Sequence, residues 1–79
     1  MKKLKVYQIT EEQFKNTEYR PDVEIDDSIE TEDDWDYADV VDNMGEGLSA
    51  EKVVDVADLM VYVVRDDDDE IVDYVVELK

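Results

Sequence analysis

Two apolar runs near the C-terminus constrain the fold of this chain more than any other feature. Residues 61–65 read VYVVR and residues 71–78 read IVDYVVEL, and both are rich in the β-branched and aromatic residues that favour strands. Between them lie the carboxylates of residues 66–70, and aspartate tolerates turns. The pattern predicts a β-hairpin whose second strand buries one side. Because strand side chains alternate, that side carries Val72, Tyr74, Val76 and Leu78.

The formal net charge of −17 works against folding, because charge this high is typical of disordered chains. Against it, Leu, Ile, Val and Phe total 22 of 79 residues, above the roughly 20% that marks a disordered composition. Thirteen of these are valines, which suit a half-buried sheet surface. We therefore expect one folded domain over residues 1–79 that withstands its own charge repulsion.

The N-terminal residues predict a strand followed by a short helix. Residues 4–9 have strand character, and Thr10 with Gln13 fits the capping box that begins a helix. This helix should run to about Asn16 and stop before Pro21, because the residue before a proline avoids helical geometry. Residues 22–26 alternate polar and apolar, which predicts a brief edge strand.

The middle of the chain predicts two further helices. Residues 31–34, TEDD, resemble a helix start, and Tyr37, Val41 and Met44 then form an apolar stripe that ends at the glycines of residues 45–47. Ser49 is a candidate cap for the next helix. Its stripe would be Val53, Val56, Ala57 and Met60, although β-branched valines disfavour helices.

These elements together predict an α+β fold. We expect a small antiparallel sheet of three or four strands, with two or three short helices on one face, in the order β-α-(β)-α-α-β-β.

Two residue types that often carry enzyme chemistry are missing. The chain has no histidine and no cysteine, which removes the commonest general base, the usual zinc ligands and any disulfide. There is no glycine-rich nucleotide motif. The S-x-x-K sequence of residues 49–52 lacks the partner motifs of penicillin-recognising enzymes, and residues 66–70 lack the spacing of an EF-hand. We expect no catalysis, no cofactor and no metal.

The charge also excludes several partners. No apolar run approaches the roughly 20 residues that span a bilayer, and no apolar stretch follows the N-terminal lysines as in a signal peptide. Free nucleic acid and anionic membranes would repel so acidic a chain. We therefore expect a cytoplasmic protein that binds something basic.

The acidic residues are concentrated in one region. Residues 21–51 contain thirteen acids and no base, whereas residues 1–20 carry a net charge of +2. A mixture of positively and negatively charged side chains serves solubility well, so a segment without any base suggests a binding surface. Carboxylates four apart on a helix, or two apart on a strand, lie about 6 Å apart, which is of the order of the spacing of neighbouring phosphates. Trp35 within this segment is a candidate anchor.

In size, charge and lack of catalytic groups, the chain resembles the small DNA-mimic inhibitors of phages and mobile elements. These include anti-CRISPR proteins, anti-restriction proteins and uracil-DNA glycosylase inhibitors, and no sequence motif is shared. The resemblance implies an inhibitor that occupies the basic DNA- or RNA-binding cleft of a host defence protein, as a monomer or homodimer. The residues expected to bind this partner are Asp26, Asp27, Glu30, Glu32, Asp33, Asp34, Trp35, Asp36, Asp39, Asp42, Asp66, Asp67, Asp68 and Asp69.

Two alternatives come from other classes of protein. Residues 27–31, DSIET, resemble the start of the second helix in acyl carrier proteins, which implies a helical bundle with phosphopantetheine on Ser28. The other alternative is a small structural or interaction protein whose acidity only keeps it soluble.

Overall fold

One antiparallel sheet forms the body of the protein. The computed structural model describes residues 1–19 and 28–79. The sheet has five strands in the order β2-β1-β5-β4-β3, and every neighbouring pair is antiparallel. The elements in chain order are β1 (Lys2–Ile9), α1 (Glu11–Lys15), β2 (Ser28–Thr31), α2 (Tyr37–Met44), β3 (Ser49–Asp55), β4 (Leu59–Arg65) and β5 (Ile71–Leu78).

The predicted C-terminal hairpin is confirmed, and it forms the centre of the sheet. Val61 of β4 lies opposite Val76 of β5. In the turn, Asp66 Oδ1 accepts hydrogen bonds from the main-chain N–H groups of Asp68 (2.9 Å) and Glu70 (3.0 Å). Asp69 takes the left-handed conformation with φ 63°. Aspartate can replace glycine in this turn because its short side chain satisfies the local backbone.

The predicted N-terminal strand and helix are also confirmed. The Gln13 N–H donates to Thr10 Oγ1 (3.1 Å), and the Thr10 N–H donates to Gln13 Oε1 (2.9 Å), which completes the capping box of α1. The helix stop at Pro21 and the edge strand at residues 22–26 lie outside the described residues.

The second helix exists, but its predicted start was wrong. Thr31 is buried in β2, where it pairs with Lys2, so it cannot cap a helix. Asp36 caps α2 instead, in a reciprocal capping box with Asp39 at 3.0 Å in both directions. Gly45, with φ 70°, ends the helix as predicted.

The predicted third helix was wrong, because its residues form two strands. Residues 49–55 are β3, which pairs with β4 through a bulge between Lys52 and Val54. A tight turn closed by the Val56 N–H to the Leu59 carbonyl (3.0 Å) leads into β4. The β-branched valines favour a strand, and β4 gains a hydrogen-bonded neighbour on its open side.

The predicted α+β class was therefore wrong as well: the molecule is mostly sheet, with five strands and only two short helices. The helices also lie on opposite faces of the sheet and not on one. On the first face, Phe14 of α1 packs against Tyr74, with ring centroids 4.7 Å apart. On the second face, Tyr37 of α2 meets Tyr62 edge to face at 5.6 Å.

Both faces bury apolar residues of the same strands. The first face holds a core of Tyr7, Ile9, Leu59, Val61 and Val76. Because side chains alternate along β4, the buried Tyr62 and Val64 point to the second face. A strand covered on both sides needs a nearly continuous apolar sequence, which residues 59–64, LMVYVV, provide.

Candidate partner-binding surface

Helix α2 lies across the second face and links its two ends. At its start, the Tyr37 N–H donates to Glu77 Oε1 of β5 at 2.9 Å. Beyond its end, Gly47 meets the β4–β5 turn so closely that a Cβ placed there would lie 2.7 Å from the Asp67 carboxylate. The loop that follows α2, which contains Glu46, and the acidic turn of residues 66–70 are therefore neighbours, although they are distant in the sequence.

Several carboxylates along this line are fully available. Each is exposed, and none of their side chains forms an ion pair or hydrogen bond within residues 1–19 and 28–79. We call this set the acidic surface: Glu32, Asp34, Asp42, Glu46, Asp67, Asp68 and Glu70. Within the described residues, each base that forms an ion pair does so with an acid outside this surface, so the charge of the acidic surface is not neutralised by ion pairs.

Other predicted site residues have internal roles. Asp36 and Asp39 are half-buried and cap α2, while Asp66 organises the turn. Asp33 contacts the N-terminal amine at 3.2 Å, and Asp69 contacts Arg65 at 3.6 Å. Exposed pairs of this kind contribute little stability, but they partly neutralise these two carboxylates.

Two more predicted residues stand apart from the acidic surface, and two cannot be placed. Glu30 lies on β2, at the opposite edge of the sheet from β3, and pairs with Lys3 at 3.8 Å. Trp35 is half-buried, and its role as an anchor stays a prediction. Asp26 and Asp27 lie outside the described residues.

Sequence reasoning missed Glu46 and Glu70 as members of the surface. Glu46 lies between the two glycines that end α2, and Glu70 closes the acidic run of the hairpin turn. A helix-ending loop and a hairpin turn are both exposed by nature, so their position was the available signal. Only the fold shows that the two segments touch.

It also missed the buried carboxyl of Glu77, which is only 4% exposed. Burial raises the pKa of Glu77, and the nearby Asp36 adds to the increase, while the Tyr37 N–H and Lys2 oppose it. Burial and the Glu77 charge likewise raise the pKa of the Tyr62 phenol. Glu77 lies on the opposite face of β5 from the predicted apolar set, and a glutamate in a strand carries no local signal of burial.

Other kinds of site were sought in the same residues. Across residues 1–19 and 28–79, no group of three or more acidic side chains is placed to hold a metal ion. No helix in this part of the chain is long and apolar enough to cross a membrane. Residues 28–31 form a strand, whereas the acyl carrier resemblance implied the start of a helix.

Comparisons with family models, curated proteins and solved structures find no match to this chain. No function is therefore transferred from a relative.

Proposed function

We propose that this protein is a non-enzymatic inhibitor that mimics nucleic acid. It would occupy the basic DNA- or RNA-binding cleft of a cytoplasmic host defence protein, such as a CRISPR effector or a restriction enzyme. The observation that supports this proposal most is the contact between Gly47 and Asp67, which joins two acidic segments into one surface.

The spacing of the acidic surface suits a phosphate-binding cleft. Side chains three or four apart on a helix have Cβ atoms about 5–6 Å apart. Asp42 lies near the end of α2, and Glu46 follows four residues later in the next loop. Asp67 and Asp68 extend the series across the Gly47 contact. Lysines and arginines that bind successive phosphates could therefore meet successive carboxylates.

The electrostatics support the same partner. With a net charge of −17, the protein would be steered rapidly towards a positively charged cleft. The affinity for this partner should fall steeply as the salt concentration rises. The carboxylates would take the place of nucleic-acid phosphates, whose contacts with basic side chains are themselves weakened by salt.

A charge-reversal experiment tests the proposal. The site variant carries Asp42→Lys and Asp68→Lys, and the matched control carries Glu12→Lys and Glu18→Lys on the other side of the molecule. All four residues are exposed, and both variants receive the same change in charge. Circular dichroism establishes that each is folded.

Each immobilised protein is exposed to nuclease-treated bacterial lysate at low salt and eluted with a salt gradient. We expect wild type and control to retain one nucleic-acid enzyme that competing DNA or RNA displaces. The site variant should bind it at least about tenfold more weakly, since a close interfacial charge pair is worth roughly 1.5 kcal/mol or more. Equal retention of many basic proteins by all three would contradict mimicry and favour an acidity that only confers solubility.

A further inference from the structure

A groove lies on the second face of the sheet, beside α2. Its volume is about 380 Å³, near the lower end of the range for small-molecule sites. Val6 of β1 and Val75 of β5 form its floor, while Ile29 of β2 and Tyr37 of α2 stand at its sides. The lining combines these apolar side chains with the polar Gln8 and Asp73, and one side is aromatic.

Among the described residues that line the groove, Asp73 is the one charged group. Its Oδ1 accepts two hydrogen bonds, from Gln8 Nε2 at 2.6 Å and from the Tyr74 N–H at 2.9 Å. Within the described residues, its Oδ2 accepts none. Burial and then the Asp73 charge raise the pKa of the Tyr37 phenol, so the carboxylate and the ring act on each other.

This combination selects for a long cationic side chain. The apolar floor suits an aliphatic stem, and the Asp73 carboxylate repels anions while attracting a cation at its free oxygen. Arginine fits better than lysine, because its planar guanidinium can donate to a carboxylate and stack on an aromatic ring at the same time.

We propose that this groove receives one arginine side chain from the basic protein partner. The inference rests on the proposed function for the nature of that partner, and adds a defined pocket to the diffuse acidic surface. The arginine stem would contact Val6 and Val75, and its guanidinium would lie against Tyr37 and donate to Asp73 Oδ2.

Amide NMR of the ¹⁵N-labelled protein tests the groove without the partner. The probe is the peptide acetyl-Gly-Arg-Gly-amide at low salt, and the comparison peptide has citrulline, a neutral isostere, in place of arginine. We expect the arginine peptide to give saturable shifts at Val6, Gln8 and Val75, and the citrulline peptide to bind at least about tenfold more weakly.

Asp73→Asn is the informative variant, because asparagine keeps an oxygen that can accept from Gln8 and Tyr74. Glu12→Gln is the matched control, with the same loss of charge at an exposed position outside the acidic surface. We expect the first to weaken peptide binding by about tenfold and the second to leave it nearly unchanged.

Equal binding of both peptides would overturn the proposal, as would shifts spread evenly over the exposed carboxylates. Neither result would affect the charge-reversal experiment, which concerns Asp42 and Asp68 outside the groove. Conversely, a groove that binds arginine while all three lysate profiles agree would contradict the proposed function and not the pocket.

Discussion

The two faces of the sheet are built from the same strands but hold different chemistry. On the first face, Phe14 and Tyr19 pack against an apolar core, and the Tyr7 hydroxyl donates to the Tyr19 carbonyl. On the second face, α2 covers the carboxyl of Glu77, while Asp73 lines the open groove beside it. Burying a charged group costs free energy, so placing carboxyl groups on the second face does not make the fold more stable.

The difference teaches how a small acidic domain can divide its tasks. The buried side chains of the first face, which include Val61 and Val76, contribute hydrophobic stabilisation on which folding depends. The second face also buries apolar residues, and it positions α2, and with it the acidic surface, through the Tyr37–Tyr62 ring contact and the Tyr37–Glu77 hydrogen bond. Variants of the two faces should therefore differ in both the size of the effect and its dependence on pH.

The largest effect is expected in the apolar core. Val76→Ala removes two methyl groups from a residue with 0% exposure, and should lower the free energy of unfolding by about 2 kcal/mol. Val72→Ala is the matched control, because Val72 is on the same strand and is 51% exposed. It should change stability by no more than about 0.5 kcal/mol. Urea denaturation measures both, and equal losses would mean that the first face is not the core.

The core was the part of the fold most open to prediction from sequence. The alternation of β5 placed Tyr74, Val76 and Leu78 together on the first face, although Val72 of the same set is 51% exposed. The capping box of α1 and Gly45 are local signals that act within a few residues. The spacing of Val53, Val56 and Met60 fitted a helix, yet these residues span a strand, a turn and the next strand. Pairing with β4 decided their structure, and that contact is not local.

The site was predictable only in part for a similar reason. The density of carboxylates marked the region that supplies Glu32, Asp34 and Asp42 to the acidic surface. The fold decides which carboxylates are instead engaged in internal hydrogen bonds or ion pairs. Asp36 and Asp39 have the same kind of acidic surroundings in the sequence as Asp34 and Asp42. They differ in the structure because Asp36 and Asp39 form the capping box of α2, which leaves only the other two free to bind a partner. Glu77 was missed because its burial depends on a helix that begins forty residues earlier in the chain.

A smaller effect is expected where α2 meets the hairpin turn. Gly47→Ala places a side chain at φ 73° against the Asp67 carboxylate, whereas Gly45→Ala places one at φ 70° in open space. Both should lose about 1 kcal/mol from the left-handed backbone. Only Gly47→Ala should also shift the amide signals of residues 66–70. If Gly45→Ala shifts them equally, the contact does not join the two acidic segments.

The smallest effect concerns Glu77 and depends on pH. Its pKa is raised in the folded protein, so the folded state holds a proton that the unfolded state has already released. Stability from this group is complete below the ordinary glutamate pKa, and is lost as pH rises through the raised value. Glu77→Gln keeps an acceptor for the Tyr37 N–H but cannot ionise. The variant should match the stability of wild type near pH 4 and exceed it increasingly as the pH rises through the raised pKa of Glu77.

Urea denaturation from pH 4 to pH 8 measures this difference, with Glu46→Gln as the matched control. Glu46 is exposed, so its replacement relieves only general repulsion and should change the pH profile little. Asp36, Lys2 and Tyr62 surround Glu77, and they stay in place in both variants. A Glu77→Gln profile that runs parallel to wild type would show that the carboxyl is solvated. The two faces would then differ in sequence, but the second face would not bear the free-energy cost of burying a charged group.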